Sequence, residues 1–156
     1  MKKSISVLLL ALSLVFVFSG CSTQDGGTKT HKAFTFSVDT GDKVNIELDT
    51  TDGYDITSDL PFEISQNGAI LSQGTFIEAA QFESYVEAVS TDANAKIIET
   101  NTKDSNQYMF WSYNDSEFNI VILINNSNTG ILLGNTISEN SAMECFKRLT
   151  ISLDED

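Results

Sequence analysis

The chain has 156 residues, of which 22 are acidic and 9 basic, for a net charge of −13. A field of that sign repels nucleic acid and anionic lipid headgroups, and steers a basic protein or peptide, or a cation, toward the surface. With 1 histidine and 2 cysteines in the chain, a His-based metal site, a Ser-His-Asp triad and a disulfide scaffold are excluded.

The N-terminus reads as a secretory signal, residues 1–20. Lys2 and Lys3 form a basic n-region, and residues 5–18 are apolar apart from Ser6 and Ser13. That run falls short of the about 20 apolar residues that span a bilayer, and it suits the h-region of a signal peptide. Phe18-Ser19-Gly20-Cys21 then brings small residues up to a cysteine. This resembles the lipobox of bacterial lipoproteins, with Phe18 where Leu is usual. The resemblance implies cleavage before Cys21, a diacylglyceryl group on its thiol, and a protein held on the extracytoplasmic face of the cell membrane. Two acyl chains anchor stably where one holds marginally, at about 0.8 kcal/mol per buried methylene. Because residues 1–20 carry two lysines and no acid, the exported part is more acidic by two charges.

Residues 22–32 are polar, include Gly26-Gly27, and lack apolar periodicity. Together with Cys21 they read as lipid anchor and flexible tether, with His31 solvated inside it. Residues 33–156 have the length of one domain. Its cysteine, Cys145, shares a helical face with Ala142, Phe146 and Leu149 and reads as a core residue.

Within the domain, Phe34, Phe36 and Val38 alternate with polar residues, as do Val44, Ile46 and Leu48. With Thr40-Gly41-Asp42 between them, they predict a hairpin that is dry on one face. Tyr54 and Ile56 begin a short strand before Pro61. Residues 62–65 and 69–72 flank Asn67-Gly68, a dipeptide suited to a tight turn because both positions accept positive φ. Residues 74–77 extend this region toward a helix over 79–89, whose stripe is Phe82, Tyr85, Val86 and Val89. Strands follow at 95–99, 107–113, 117–125 and 130–136. A second helix opens at Ser141, with Glu144 spaced as a capping box, and runs to Arg148. Residues 149–153 close the chain as a strand.

Residues 108–113 and 118–124 are apolar on both faces, which is the pattern of strands covered on both sides. The expected class is therefore α+β: a mainly antiparallel sheet of about six to eight strands with two helices packed on it. The N-terminal hairpin, the Phe-Glu-Ile-Ser strand at 62–65, the helix over 81–89 and the terminal helix and strand over 141–153 resemble the PsbP-like fold. The resemblance implies an accessory or binding role in an envelope or lumen. It carries over no functional residue.

P-loop, dinucleotide-binding, nucleophile-elbow and paired-cysteine motifs are absent from the sequence. No cofactor and no metal is expected. Asp39, Asp42, Asp49, Asp52 and Asp55 crowd one stretch but do not follow EF-hand spacing; Asp is also an ordinary turn residue. Trp111 and Tyr113 are the candidate ligand or partner surface, since aromatic side chains dominate binding hot spots. The functional expectation is a membrane-tethered binding or accessory module for a protein or small ligand at the cell envelope, with a basic protein or peptide as one candidate partner. The alternative is an envelope hydrolase using a carboxylate pair.

Overall fold

Alternation and turn chemistry together order the first half of the chain. The computed structural model describes residues 30–154, so the expected signal segment, Cys21 and the expected tether up to residue 29 lie outside the described residues. Strands β1 (His31–Ser37) and β2 (Lys43–Asp49) form the first hairpin, followed by a 3-10 turn at Thr51–Gly53 and β3 (Tyr54–Ile56). Strands β4 (Phe62–Gln66) and β5 (Ala69–Glu78) meet at Asn67 and Gly68, which take φ of 51° and 83° as a tight primed turn requires. Helix α1 (Ala80–Thr91) leads to β6 (Ala95–Lys103), β7 (Asn106–Tyr113), β8 (Glu117–Leu123) and β9 (Thr129–Asn135). Helix α2 (Glu139–Arg148) and β10 (Leu149–Leu153) end the domain.

The class is α+β, and the strands form two sheets. A seven-stranded antiparallel sheet runs β3-β4-β5-β9-β8-β7-β6, and a three-stranded one runs β1-β2-β10. The first hairpin is dry on one face because that face lies on the large sheet. Val44, Ile46 and Leu48 meet Phe62, Ile64, Phe110, Ile120, Ile122 and Ile131 in one core, closed at its end by Ala142, Cys145 and Phe146 of α2. On the opposite face of the large sheet, Phe82 and Val89 of α1 cover Met109, Trp111 and Val121. The central strands are thus covered on both sides, as their apolar runs predict. Each large side chain so buried contributes about 1.5–3 kcal/mol.

Three local expectations change. Strand β1 starts at His31 and not in a tether, and His31 Nδ1 lies 3.0 Å from Glu47 Oε1. Strand β6 runs on to Lys103 and turns through Asp104 and Ser105, at φ 52° and 70°, into β7. Helix α2 begins earlier than the Ser141 capping box places it. Ser138, extended at φ −170°, is the cap, and its Oγ accepts from Ser141 N at 3.1 Å. The Ser141 hydroxyl instead accepts from Asn135 Nδ2, 3.0 Å away.

Candidate functional site

Unequal strand lengths open a groove. Strand β4 begins at Phe62, opposite Gly74, whereas β5 continues to Glu78. Residues 75–78 therefore have β9 on one side and, among the described residues, no strand on the other. Before β4, Thr57 is held beside Glu63, with Thr57 N donating to Glu63 O at 3.1 Å and Glu63 N to Thr57 Oγ1 at 2.9 Å. The chain returns to Phe62 through Leu60, which borders the lane without pairing with β5. Across the lane stand the end of β1 and the turn into β2. The groove between has a volume of about 370 Å³ and is lined by Val38, Asp39, Leu60, Phe76, Ile77 and Glu78, among others. A neighbouring recess of about 300 Å³ shares Thr40 and Glu78 with it.

The walls are fixed from below. The ring of Phe76 lies 5.2 Å from that of Phe36 and 6.2 Å from that of Phe62, so the floor is an aromatic cluster. The β1–β2 turn is pinned by Asp42, whose Oδ2 accepts from Asn128 N at 2.8 Å and from Thr129 Oγ1 at 2.6 Å. Gly41 takes φ 93° in that turn, a conformation open to glycine. Asp39 and Glu78 are exposed on the rim, and Leu60 is 58% exposed beside it. An apolar floor under a carboxylate rim is suited to a chain segment carrying both an apolar and a basic side chain.

The aspartates that crowd the sequence do separate work. Asp42 pins the turn, Asp55 binds Lys32 Nζ at 2.7 Å, and Asp49 accepts from Thr51 N and Oγ1 at 3.0 and 2.8 Å. Asp52 meets Arg148 Nη2 at 2.7 Å. Arg148 also donates from Nη1 to Thr51 O and Oγ1 and lies 4.0 Å over the Tyr54 ring. This junction locks the 3-10 turn to the end of α2. Among the described residues no group of three or more His, Cys, Asp or Glu side chains is placed to hold a metal.

Of the two aromatic candidates, Trp111 is buried and Tyr113 is only partly covered. Trp111 is 6% exposed beneath α1, with the Tyr85 ring 6.1 Å away, and Tyr113 is half-buried at the end of β7. Large aromatics on the covered face of a central strand are core. Cys145 is wholly buried, and burial pushes its thiol pKa up, away from a reactive thiolate. Cys21 lies outside the described residues. In the turn at 125–129, Asn125 N donates to Asn106 Oδ1 and Ser127 Oγ to Ile124 O, both at 2.9 Å, so its polar groups are partly spent on itself.

Electrostatics weigh against paired-carboxylate chemistry at the carboxyls that shift. Hydrogen bonds from Thr51 lower the pKa of Asp49, those from Lys32 and Ile56 lower that of Asp55, and those from Tyr108 and Asn101 lower that of Glu99. A general acid requires the opposite direction. Tyr108, buried and donating to Glu99 Oε1 at 2.7 Å, is pushed up to about 12. The groove residues lacked a local signature in the sequence, because they come from three separate segments and are ordinary strand and turn residues. Compared with family models and with curated proteins, the sequence matches none.

Proposed function

We propose that this chain is a lipoprotein tethered through Cys21 to the extracytoplasmic face of the cell membrane. Its domain acts there as a binding or accessory module for a basic protein or peptide. The observation that carries the reading is the groove beside residues 75–78, where Asp39 and Glu78 rim an apolar floor of Val38 and Phe76. The net charge of −13 adds long-range attraction for a cationic partner. The order of elements, similar to that of PsbP-like proteins, accords with an accessory role.

The test uses the full chain in detergent micelles and an oligolysine probe. The Asp39→Lys/Glu78→Lys double variant is compared with Glu83→Lys/Glu87→Lys, which makes the same charge change at exposed positions on α1. Groove reversal is expected to weaken binding about tenfold more than reversal on the helix. Equal losses would show that bulk charge alone attracts the probe and would sink the groove assignment. Attachment is tested separately, by incorporation of labelled palmitate, which Cys21→Ala abolishes.

A further inference from the structure

Resting on that reading of the groove, the backbone says how a partner would enter it. In an antiparallel ladder, successive residues direct their N–H and C=O groups to opposite neighbours. Ala79 N donates to Asn128 O, on the β9 side, at 2.9 Å. By alternation, Phe76 and Glu78 direct theirs to the β4 side. Glu78 N–H is taken by Gln81 Oε1 at 2.9 Å. Opposite Phe76, β4 has not begun, so its N–H and C=O face the groove.

We infer that the groove takes an extended basic peptide as an added strand, lying antiparallel to β5 in the lane that β4 leaves vacant. Main-chain bonds to Phe76 supply affinity that does not depend on side chains, and alternate side-chain pockets supply selectivity. Residues directly opposite in such a pair share a face. The peptide residue opposite Phe76 therefore points inward onto Val38 and the Phe36–Phe76 floor, where an apolar side chain fits. Two residues toward the peptide's N-terminus, the residue opposite Glu78 again points inward, where a Lys or Arg meets the carboxylate. The recognised pattern is basic-x-apolar. The other nearby edge is guarded: on β1 the inward-facing Lys32 is held by Asp55 at 2.7 Å, a charge placement that discourages strand addition there.

The experiment uses the full chain in micelles and the capped pentapeptide Thr-Lys-Thr-Val-Lys. Two methylated forms are compared with it: one N-methylated at Val, whose N–H would meet Phe76 O, and one N-methylated at the central Thr, whose N–H would face away. Methylation at Val is expected to weaken binding about tenfold, the loss of a main-chain hydrogen bond. Methylation at Thr should leave it within about twofold, and the Phe76 amide should exchange with solvent more slowly in the complex. Equal affinities for both methylated forms, or an unchanged Phe76 amide, would overturn strand addition. If oligolysine still bound in a manner sensitive to Asp39→Lys/Glu78→Lys, the groove reading would stand without it. Failure of the pentapeptide with retention of oligolysine would likewise remove strand addition and keep the groove, and failure of both would remove both proposals.

Discussion

Replacing Arg148 with Ala should cost about 3 kcal/mol of stability. The guanidinium sits 4.0 Å over the Tyr54 ring, donates to Thr51 O and Oγ1 at 3.1 and 2.9 Å, and reaches Asp52 Oδ2 at 2.7 Å. A partly desolvated cation on an aromatic face is worth about 1 kcal/mol. The charge-assisted bonds to Thr51 are worth roughly 1–2 kcal/mol net, and the stem, only 16% exposed, adds about 1 kcal/mol of packing. The Asp52 partner is 71% exposed and is left out of the sum, because solvent screens it. For a domain of this size the loss lowers Tm by on the order of 10 °C. Equilibrium urea unfolding measures it. Arg148→Met separates the contributions: it keeps a stem on Tyr54 and removes Nε, which is buried without a partner, so it should recover about half of the loss. A double-mutant cycle with Tyr54→Leu should show coupling of about 1 kcal/mol. An Arg148→Ala protein within about 0.5 kcal/mol of the parent would refute the idea that this residue holds the turn.

Asp49 and Asp55 have lowered pKa values in the folded protein, so their stabilisation is full above the ordinary carboxyl value of 3.8 and is lost as pH falls through the lowered values. Unfolding midpoints followed down the acid limb should fall below about pH 4, and Asp49→Asn should flatten that fall. Tyr108 is raised from 10.0 to about 12, so its share of stability is present below pH 10.0 and disappears as pH rises toward about 12. Burial raises Tyr54 as well, so ultraviolet titration should show two late-ionising tyrosines, of which Tyr108→Phe removes one. In the native state Cys145 should resist a thiol reagent and react at the rate of global opening, so fast labelling would contradict its burial. Gly74→Ala places a Cβ against the wholly buried Phe62 ring and should cost about 1–3 kcal/mol, read from thermal melts.

Much of the fold is legible because much of it is local. Asn67-Gly68 encodes its own turn, and the alternation of Phe34, Phe36 and Val38 encodes a half-covered strand. The two-sided apolar runs at 108–113 and 118–124 require cover on both faces, and α1 on one side with the small sheet and α2 on the other supply it. What could not be read is the partner of each strand. Leu149 and Ile151 alternate with Thr150 and Ser152, which makes β10 a strand wherever it pairs; that it joins β2 in a separate sheet is set by packing between distant segments. The β6–β7 hairpin was hidden for a different reason. Residues 99–103 lie on an edge strand and are mostly exposed, so neither face imposes an apolar period.

The site was legible in less detail, and the reason lies in how grooves form. Weighting aromatics as anchors led to Trp111, but a Trp on a strand that is apolar on both faces has two ways to be buried and none to be free, and α1 takes it. The groove depends instead on a mismatch in length. Counted outward from the Asn67-Gly68 turn, the apolar alternation on one arm stops at Phe62, just after Pro61, which has no N–H to lend to a ladder. The other arm continues through Phe76 to Glu78, so it must lose its neighbour before it ends. That inequality can be counted in the sequence without knowing what lies across the lane. The identity of the opposite wall, Val38 and Asp39, cannot, because it depends on the small sheet closing over the large one. A strand that outlasts its partner marks where backbone groups lie open, and the charge around it, here Asp39 and Glu78, indicates which kind of chain can use them.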